Sequence, residues 1–113
     1  MRLRQLHPWN VSPKEAADIQ TRLRSLVSTT WDGGSIERVG GVDLGFDRRH
    51  DAATVAIVVL SFPGLEVIEQ HACRAAVSFP YVPGLLSFRE VPAVADVITQ
   101  VRVDPQVLLV DGQ

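Results

Sequence analysis

Three carboxylates, Asp43, Glu90 and Asp111, stand where a charge needs a reason. Asp43 lies in the run Val42-Asp43-Leu44-Gly45-Phe46, where apolar residues alternate with Asp43 and Gly45. Period two predicts a strand with Val42, Leu44 and Phe46 on one face and Asp43 on the other. A carboxylate in an apolar strand is costly unless it is paired, bound to a metal or neutralised. The plainer alternative is an Asp at a strand end that caps a nearby loop. Asp111 closes a second apolar run, Gln106-Val107-Leu108-Leu109-Val110, and with Gly112 it reads equally as the start of a turn. Glu90 follows Leu85-Leu86-Ser87-Phe88-Arg89 and, taken alone, is an exposed helix residue paired with Arg89 or solvated. Taken together, carboxylates from two strands and one helix suit Mg²⁺, a hard ion that takes oxygen ligands and keeps several waters. Zinc is not suggested, because Cys73 is single and His7, His50 and His71 show no ligand spacing. The histidines read as surface residues.

Just ahead of Glu90 runs Phe79-Pro80-Tyr81-Val82-Pro83-Gly84. Pro80 and Pro83 hold this segment extended and stiff. Rigid apolar and aromatic residues in such a loop suit insertion between stacked bases. A loop tyrosine that packs its ring on the core is the competing reading of Tyr81.

These side chains must be positioned by few elements. Ser12-Pro13-Lys14-Glu15 is a capping box with Pro at the first helical position, and Ala16, Ile19, Leu23 and Leu26 form one apolar stripe behind it. That helix is expected to fade near residues 28–30, ahead of an Asp32-Gly33-Gly34 loop. Residues 42–46, 53–60 and 65–77 follow as strands. The turns between them are Asp47-Arg48-Arg49-His50-Asp51 and Pro63-Gly64. The middle strand is almost wholly apolar and is expected to be covered on both faces, whereas the third is polar enough for a sheet edge. Residues 85–90 are expected to make a short helical turn. Pro92 then opens a separate helix with Val94, Val97, Ile98 and Val101 on its apolar face. Asp104-Pro105 ends it, and residues 106–111 form a buried strand. The implied fold class is α/β: an antiparallel three-stranded meander plus a parallel fourth strand reached through a helical crossover, hence a mixed sheet. Were the fourth strand beside the first, Asp43 and Asp111 would lie on strands about 4.8 Å apart, close enough to share one cation.

Composition agrees with one globular domain over residues 1–113. The chain has 11 basic and 13 acidic residues, a net charge of −2, and 46% hydrophobic residues, which excludes a disordered chain or a coiled coil. No apolar run reaches the length of a membrane span, and the N-terminal residues lack the apolar stretch of a secretory signal. A single cysteine fits a reducing compartment, so the expected location is cytoplasmic, with no membrane partner and the oligomeric state open.

Val39-Gly40-Gly41-Val42-Asp43, then Phe79-Pro80-Tyr81-Val82-Pro83-Gly84-Leu85-Leu86-Ser87-Phe88-Arg89-Glu90, then Leu109-Val110-Asp111-Gly112 resemble endonuclease V. The twelve-residue middle segment is the most specific of the three, and the likeness runs over residues 12–113. It implies a ribonuclease H-like fold and a Mg²⁺-dependent phosphodiester hydrolase. Such an enzyme cleaves DNA at the second phosphodiester bond 3′ to a deaminated adenine (hypoxanthine), a repair reaction; inosine-containing RNA is a second substrate of some members. The resemblance assigns Asp43, Glu90 and Asp111 to metal binding and catalysis. It assigns Pro80, Tyr81, Val82 and Pro83 to the DNA wedge, and Gly84 and Leu86 to the pocket for the flipped base. Flipping is a physical requirement, because hypoxanthine must be told apart on edges hidden in the stack.

The family continues past a second Asp-Gly into a Gly-rich turn, a His-Pro-Arg motif and further strands and helices that this sequence lacks. A C-terminally truncated domain is therefore expected. Its last strand would form an open apolar edge, one sheet face would be bare, and nuclease activity would be small or absent. The alternatives are a non-catalytic nucleic-acid-binding fragment and another ribonuclease H-like nuclease, such as the nuclease half of a repair excinuclease. A plain α/β scaffold would leave the proline-bracketed Tyr81 unexplained.

Overall fold

Ser12 starts the first helix as its sequence demands. In the computed structural model, which describes residues 1–111, the Glu15 N–H donates to Ser12 Oγ at 3.2 Å and the Ser12 N–H donates to the Glu15 carboxylate at 2.8 Å. Such a cap is worth about 1 kcal/mol. The helix, α1, spans Pro13–Leu23 and tightens into a 3-10 turn at Arg24–Leu26. Ala16 and Ile19 are buried against Phe79, Leu85 and Phe88. Leu26 was expected on the same stripe but is exposed, because the tighter winding rotates it off that face.

Strands β1 (Arg38–Asp47), β2 (Ala52–Ser61) and β3 (Val67–Ala76) form the expected meander, and helix α2 (Leu86–Ile98) crosses over to β4 (Val107–Val110). The sheet order is β3-β2-β1-β4, antiparallel except for the parallel β1–β4 pair. β3 is an edge strand, as its polarity predicts. On one sheet face Val55, Ile57 and Val59 of β2 pack with Ala93, Val94, Val97 and Ile98 of α2.

Three expectations about burial and helix limits are corrected. First, β2 is covered on one face only: Thr54 and Ala56 are exposed, since no described residues form a layer over that side. Second, β4 is half-buried at Val107 and Leu108 and exposed at Leu109 and Val110, because it is the second edge of the sheet. Third, residues 85–90 are not a separate turn. A single helix runs through Pro92, and Val101 is buried just beyond its end. Proline inside a helix removes the bond to residue i−4 and costs about 3 kcal/mol. Burial of Phe88 before Pro92, and of Ala93, Val94, Val97 and Ile98 after it, offsets that cost. Among the described residues no helix is long and apolar enough to cross a membrane. Gly112 and Gln113, including the expected Asp111-Gly112 turn, lie outside the described residues.

Side chains pin the start of β4 to the rest of the sheet. Gln106 Oε1 accepts the Arg38 N–H at 2.8 Å and the Glu37 N–H at 3.2 Å, while Arg38 Nε donates to the Asp104 carbonyl at 2.8 Å. Gly40 lets β1 approach closely here, because a Cβ on it would sit 2.9 Å from Leu108 Cδ1 and 3.1 Å from Pro105 Cγ. From β3, Glu69 accepts the N–H groups of Arg102 and Val103, on the segment leading into β4, and pairs with His71 Nε2 at 2.6 Å. The His71 bond first, then the Val103 and Arg102 N–H groups, hold the Glu69 carboxyl at about 2, against the opposing effect of burial. A depressed carboxyl stabilises the fold above its unfolded value of 4.5, and that stabilisation is lost as pH falls through about 2. Glu69→Gln is therefore expected to be less stable than the parent at neutral pH, with the gap closing between about 4.5 and 2. Urea melts over a pH series read this directly; a gap independent of pH would contradict it.

Candidate functional site

The last β1–β4 pair is Val42 with Val110, so Asp43 and Asp111 are the next residues along two adjacent parallel strands. Asp43 lies within β1, not at its end, and is exposed, so neither a buried-charge penalty nor a strand-end cap explains it. Its Oδ1 accepts the N–H of the next residue, Leu44, at 2.8 Å, and no other partner among the described residues. Asp111 is also exposed, and Glu90 is half-buried on the fifth residue of α2. All three line one cleft of about 230 Å³, walled by Leu44, Leu86, Val94 and Val110. Asp43 and Asp111 also border a wider concavity of about 830 Å³ on the bare sheet face, beside Ala56, Val58, Gln70 and Leu109.

Glu90 is half-buried and, among the described residues, makes no ion pair. Burial pushes its carboxyl above the usual range, the charges of Asp111 and Asp43 push it further, and Arg89 opposes them weakly. The Arg89 guanidinium is engaged elsewhere: it donates to the Phe79 carbonyl at 2.8 Å and lies 4.7 Å from the centre of the Phe46 ring. Glu90, charged beside two other carboxylates, lowers its energy when a cation is taken up among them. The donor set is all carboxylate oxygen, which fits a hard divalent ion and not a thiolate or imidazole metal. Among the described residues, no group of three His, Cys, Asp or Glu side chains is drawn close enough to grip a metal as it stands.

The proline loop is set by packing on both sides of its tip. Phe79 and Leu85 are buried and Val82 packs beside α1, while Pro80, Tyr81 and Pro83 face solvent. Tyr81 is 68% exposed, so its ring is not a core ring. Gly84 has φ +82°, a backbone state that favours glycine. Gln20 of α1 donates to the Gly84 carbonyl at 3.1 Å and to Ser87 Oγ at 3.4 Å. Gly84, Leu86, Gln20 and Ser87 share a second cavity of about 230 Å³ with Glu90 and Asp111. The structure thus places Gly84 and Leu86, the residues expected to form the base pocket, beside Glu90 and Asp111.

Some functional neighbours escaped the sequence. Gln20 and Ser87 are ordinary polar helix residues, and only the docking of α1 on the loop gives them a partner. The histidines are also not uniformly surface residues: His7 packs edge-on against Trp9 at 4.3 Å between ring centres, and His71 is half-buried on Glu69.

With that geometry in place, comparisons with known proteins point one way. The family model for endonuclease V matches residues 20–113. A curated endonuclease V of Gloeobacter violaceus is 44% identical over 109 residues, covering 95% of this chain and 44% of the relative. Among solved structures, endonuclease V from Streptomyces avermitilis superposes with a TM-score of 0.84 at 37% identity, covering 92% of this chain and 46% of that one. An endonuclease V from Ciona intestinalis, in complex with a 23mer DNA containing an inosine followed by a ribo-adenosine, superposes with a TM-score of 0.81 at 25% identity over 90% of this chain and 47% of that one. The chain spans about half the length of the curated relatives it matches.

Proposed function

This chain belongs to the endonuclease V family, and from that premise we propose that it carries the metal-binding and strand-opening half of a nuclease directed at inosine in nucleic acid. The observation that carries this reading is the convergence of Asp43, Glu90 and Asp111 on one cleft, where Glu90 is held above the usual carboxylate range. Asp43 and Asp111 would hold Mg²⁺, with Glu90 as a further ligand or reached through water. The ion, when bound, supplies charge stabilisation at a phosphate and makes water more acidic.

The rest falls to the protein's own groups. Tyr81, stiffened by Pro80 and Pro83 and backed by Val82, enters the stack beside the damaged base. Gly84 and Leu86 receive the extruded base in the cavity that also touches Glu90 and Asp111. Gln20 holds that backbone from α1 through the Gly84 carbonyl. Cleavage at the second phosphodiester bond 3′ to the lesion, leaving a 3′-hydroxyl and a 5′-phosphate, and a role in repair of deaminated DNA in the cytoplasm complete the reading. Residues 1–113 act as a single domain of this type, incomplete in length against its relatives. Because the carboxylate cleft opens onto a bare sheet face, turnover by the 113-residue chain is small relative to its binding. The ribo-adenosine that follows inosine in the Ciona intestinalis complex supports inosine-containing RNA as a second substrate.

The test compares an inosine-containing duplex with its undamaged counterpart, with and without Mg²⁺. The expected result is tighter binding of the inosine duplex, by about tenfold or about 1.4 kcal/mol, and any cleavage confined to the Mg²⁺ arm. Equal affinities for both duplexes would overturn the reading, as would metal-independent cleavage.

A further inference from the structure

A groove of about 410 Å³ lies on the far side of Tyr81, lined by Phe46, Arg48, Tyr81, Leu86 and Arg89. Two of its five lining residues are guanidinium-bearing and none is acidic. The two arginines differ in what occupies them. Arg89 is committed to the Phe79 carbonyl and the Phe46 ring, so it braces the loop that carries Tyr81. Arg48 stands on the β1–β2 turn, is exposed and, among the described residues, makes no ion pair or side-chain hydrogen bond. The adjacent Asp47 is engaged by Arg74 at 2.8 Å and His50 at 2.8 Å, so it does not hold Arg48. Phe46 and Leu86 line both this groove and the carboxylate cleft, which makes the two continuous. A polyanion lying in the groove would therefore pass from Arg48, across the exposed Tyr81 ring, to the three carboxylates.

We propose that Arg48 contacts a backbone phosphate of the bound nucleic-acid strand in the groove between Phe46 and Tyr81. The inference rests on the nucleic-acid reading above and adds to it a sequence-independent contact that orients the strand towards the cleft. Arg49 sits on the same turn but outside the groove lining, so it supplies a matched control for net charge.

The experiment measures binding of the 113-residue chain to a fluorescent duplex without inosine, by anisotropy, over a salt series. Each phosphate contact contributes about 0.9 to the slope of log K against log salt on duplex DNA. Arg48→Ala is expected to lower that slope by about one and to weaken binding equally for damaged and undamaged strands. Arg48→Lys is expected to keep the slope, and Arg49→Ala to change it by less than half as much. The proposal is overturned if Arg48→Ala leaves the slope unchanged, if Arg49→Ala changes it as much, or if the parent does not bind the undamaged duplex at low salt. A parent that shows the Arg48-dependent slope but no preference for inosine would refute the inosine reading and leave this contact standing.

Discussion

Asp43→Ala is expected to abolish saturable Mg²⁺ binding while leaving the fold and most of the DNA affinity intact. Losing a mere outer partner of a metal site costs about 10–100-fold in affinity. Removing Asp43, one of the two carboxylates proposed to hold the ion directly, should exceed the upper end of that range, and metal-dependent cleavage should fall below detection. Stability should not suffer, because Asp43 is exposed and its one hydrogen bond among the described residues is to the adjacent Leu44 N–H. Asp43 is also one of the two charges that raise Glu90, so Glu90 should titrate closer to its ordinary value in the variant. DNA affinity should change little, because phosphate contacts supply most of it and they lie elsewhere. Calorimetric titration with Mg²⁺, titration of Glu90 by NMR and anisotropy with an inosine duplex give three separate readouts. Undiminished Mg²⁺ binding with an unmoved Glu90 would show that the three carboxylates do not act together.

The sequence made the topology legible because its punctuation is strong. A capping box, two turn signals, a proline-bracketed loop and one crossover of helical period fixed the meander and a parallel fourth strand, while the place of that strand beside β1 came from the structure. Burial was harder to read. The apolar run of β2 suits a strand covered on both sides, yet cover on either face depends on elements distant in sequence, and only the α2 face has one among the described residues. The two carboxylates on strands could be paired only on the condition that β4 lies beside β1, which the structure supplies. Glu90 could not be placed as firmly, since Pro92 suggested a break where the helix continues. That continuity matters: it fixes Glu90 rigidly on the helix whose opposite end packs under β2, so the height of Glu90 above the strands is set by the core. Gln20, Ser87 and Arg48 were invisible for a different reason. Gln20 and Ser87 meet only through tertiary packing, and Arg48 gains its place in a groove the same way, so no local pattern encodes them.

Tyr81→Ala is expected to leave metal binding untouched and to remove opening of the base stack. At 68% exposure the ring contributes little to the fold, so melting behaviour should match the parent. In the complex the same ring would be buried against a base. Stacking of that kind is worth about 1–3 kcal/mol, or about 5- to 150-fold in affinity for the opened state at 1.4 kcal/mol per tenfold. A duplex with a fluorescent adenine analogue beside the inosine reports the opening directly: the parent should brighten it on binding and Tyr81→Ala should not. Tyr81→Phe separates ring from hydroxyl, and it should behave as the parent, since a wedge needs the face and not the oxygen. The loop that holds the ring makes this a sharp test. Phe79 and Leu85 are buried, and Arg89 ties the Phe79 carbonyl from α2, so truncation at Tyr81 removes the tip without releasing its support. Brightening by Tyr81→Ala equal to that of the parent would mean that the strand is opened by other groups, and that the exposed ring serves only as a surface for contact.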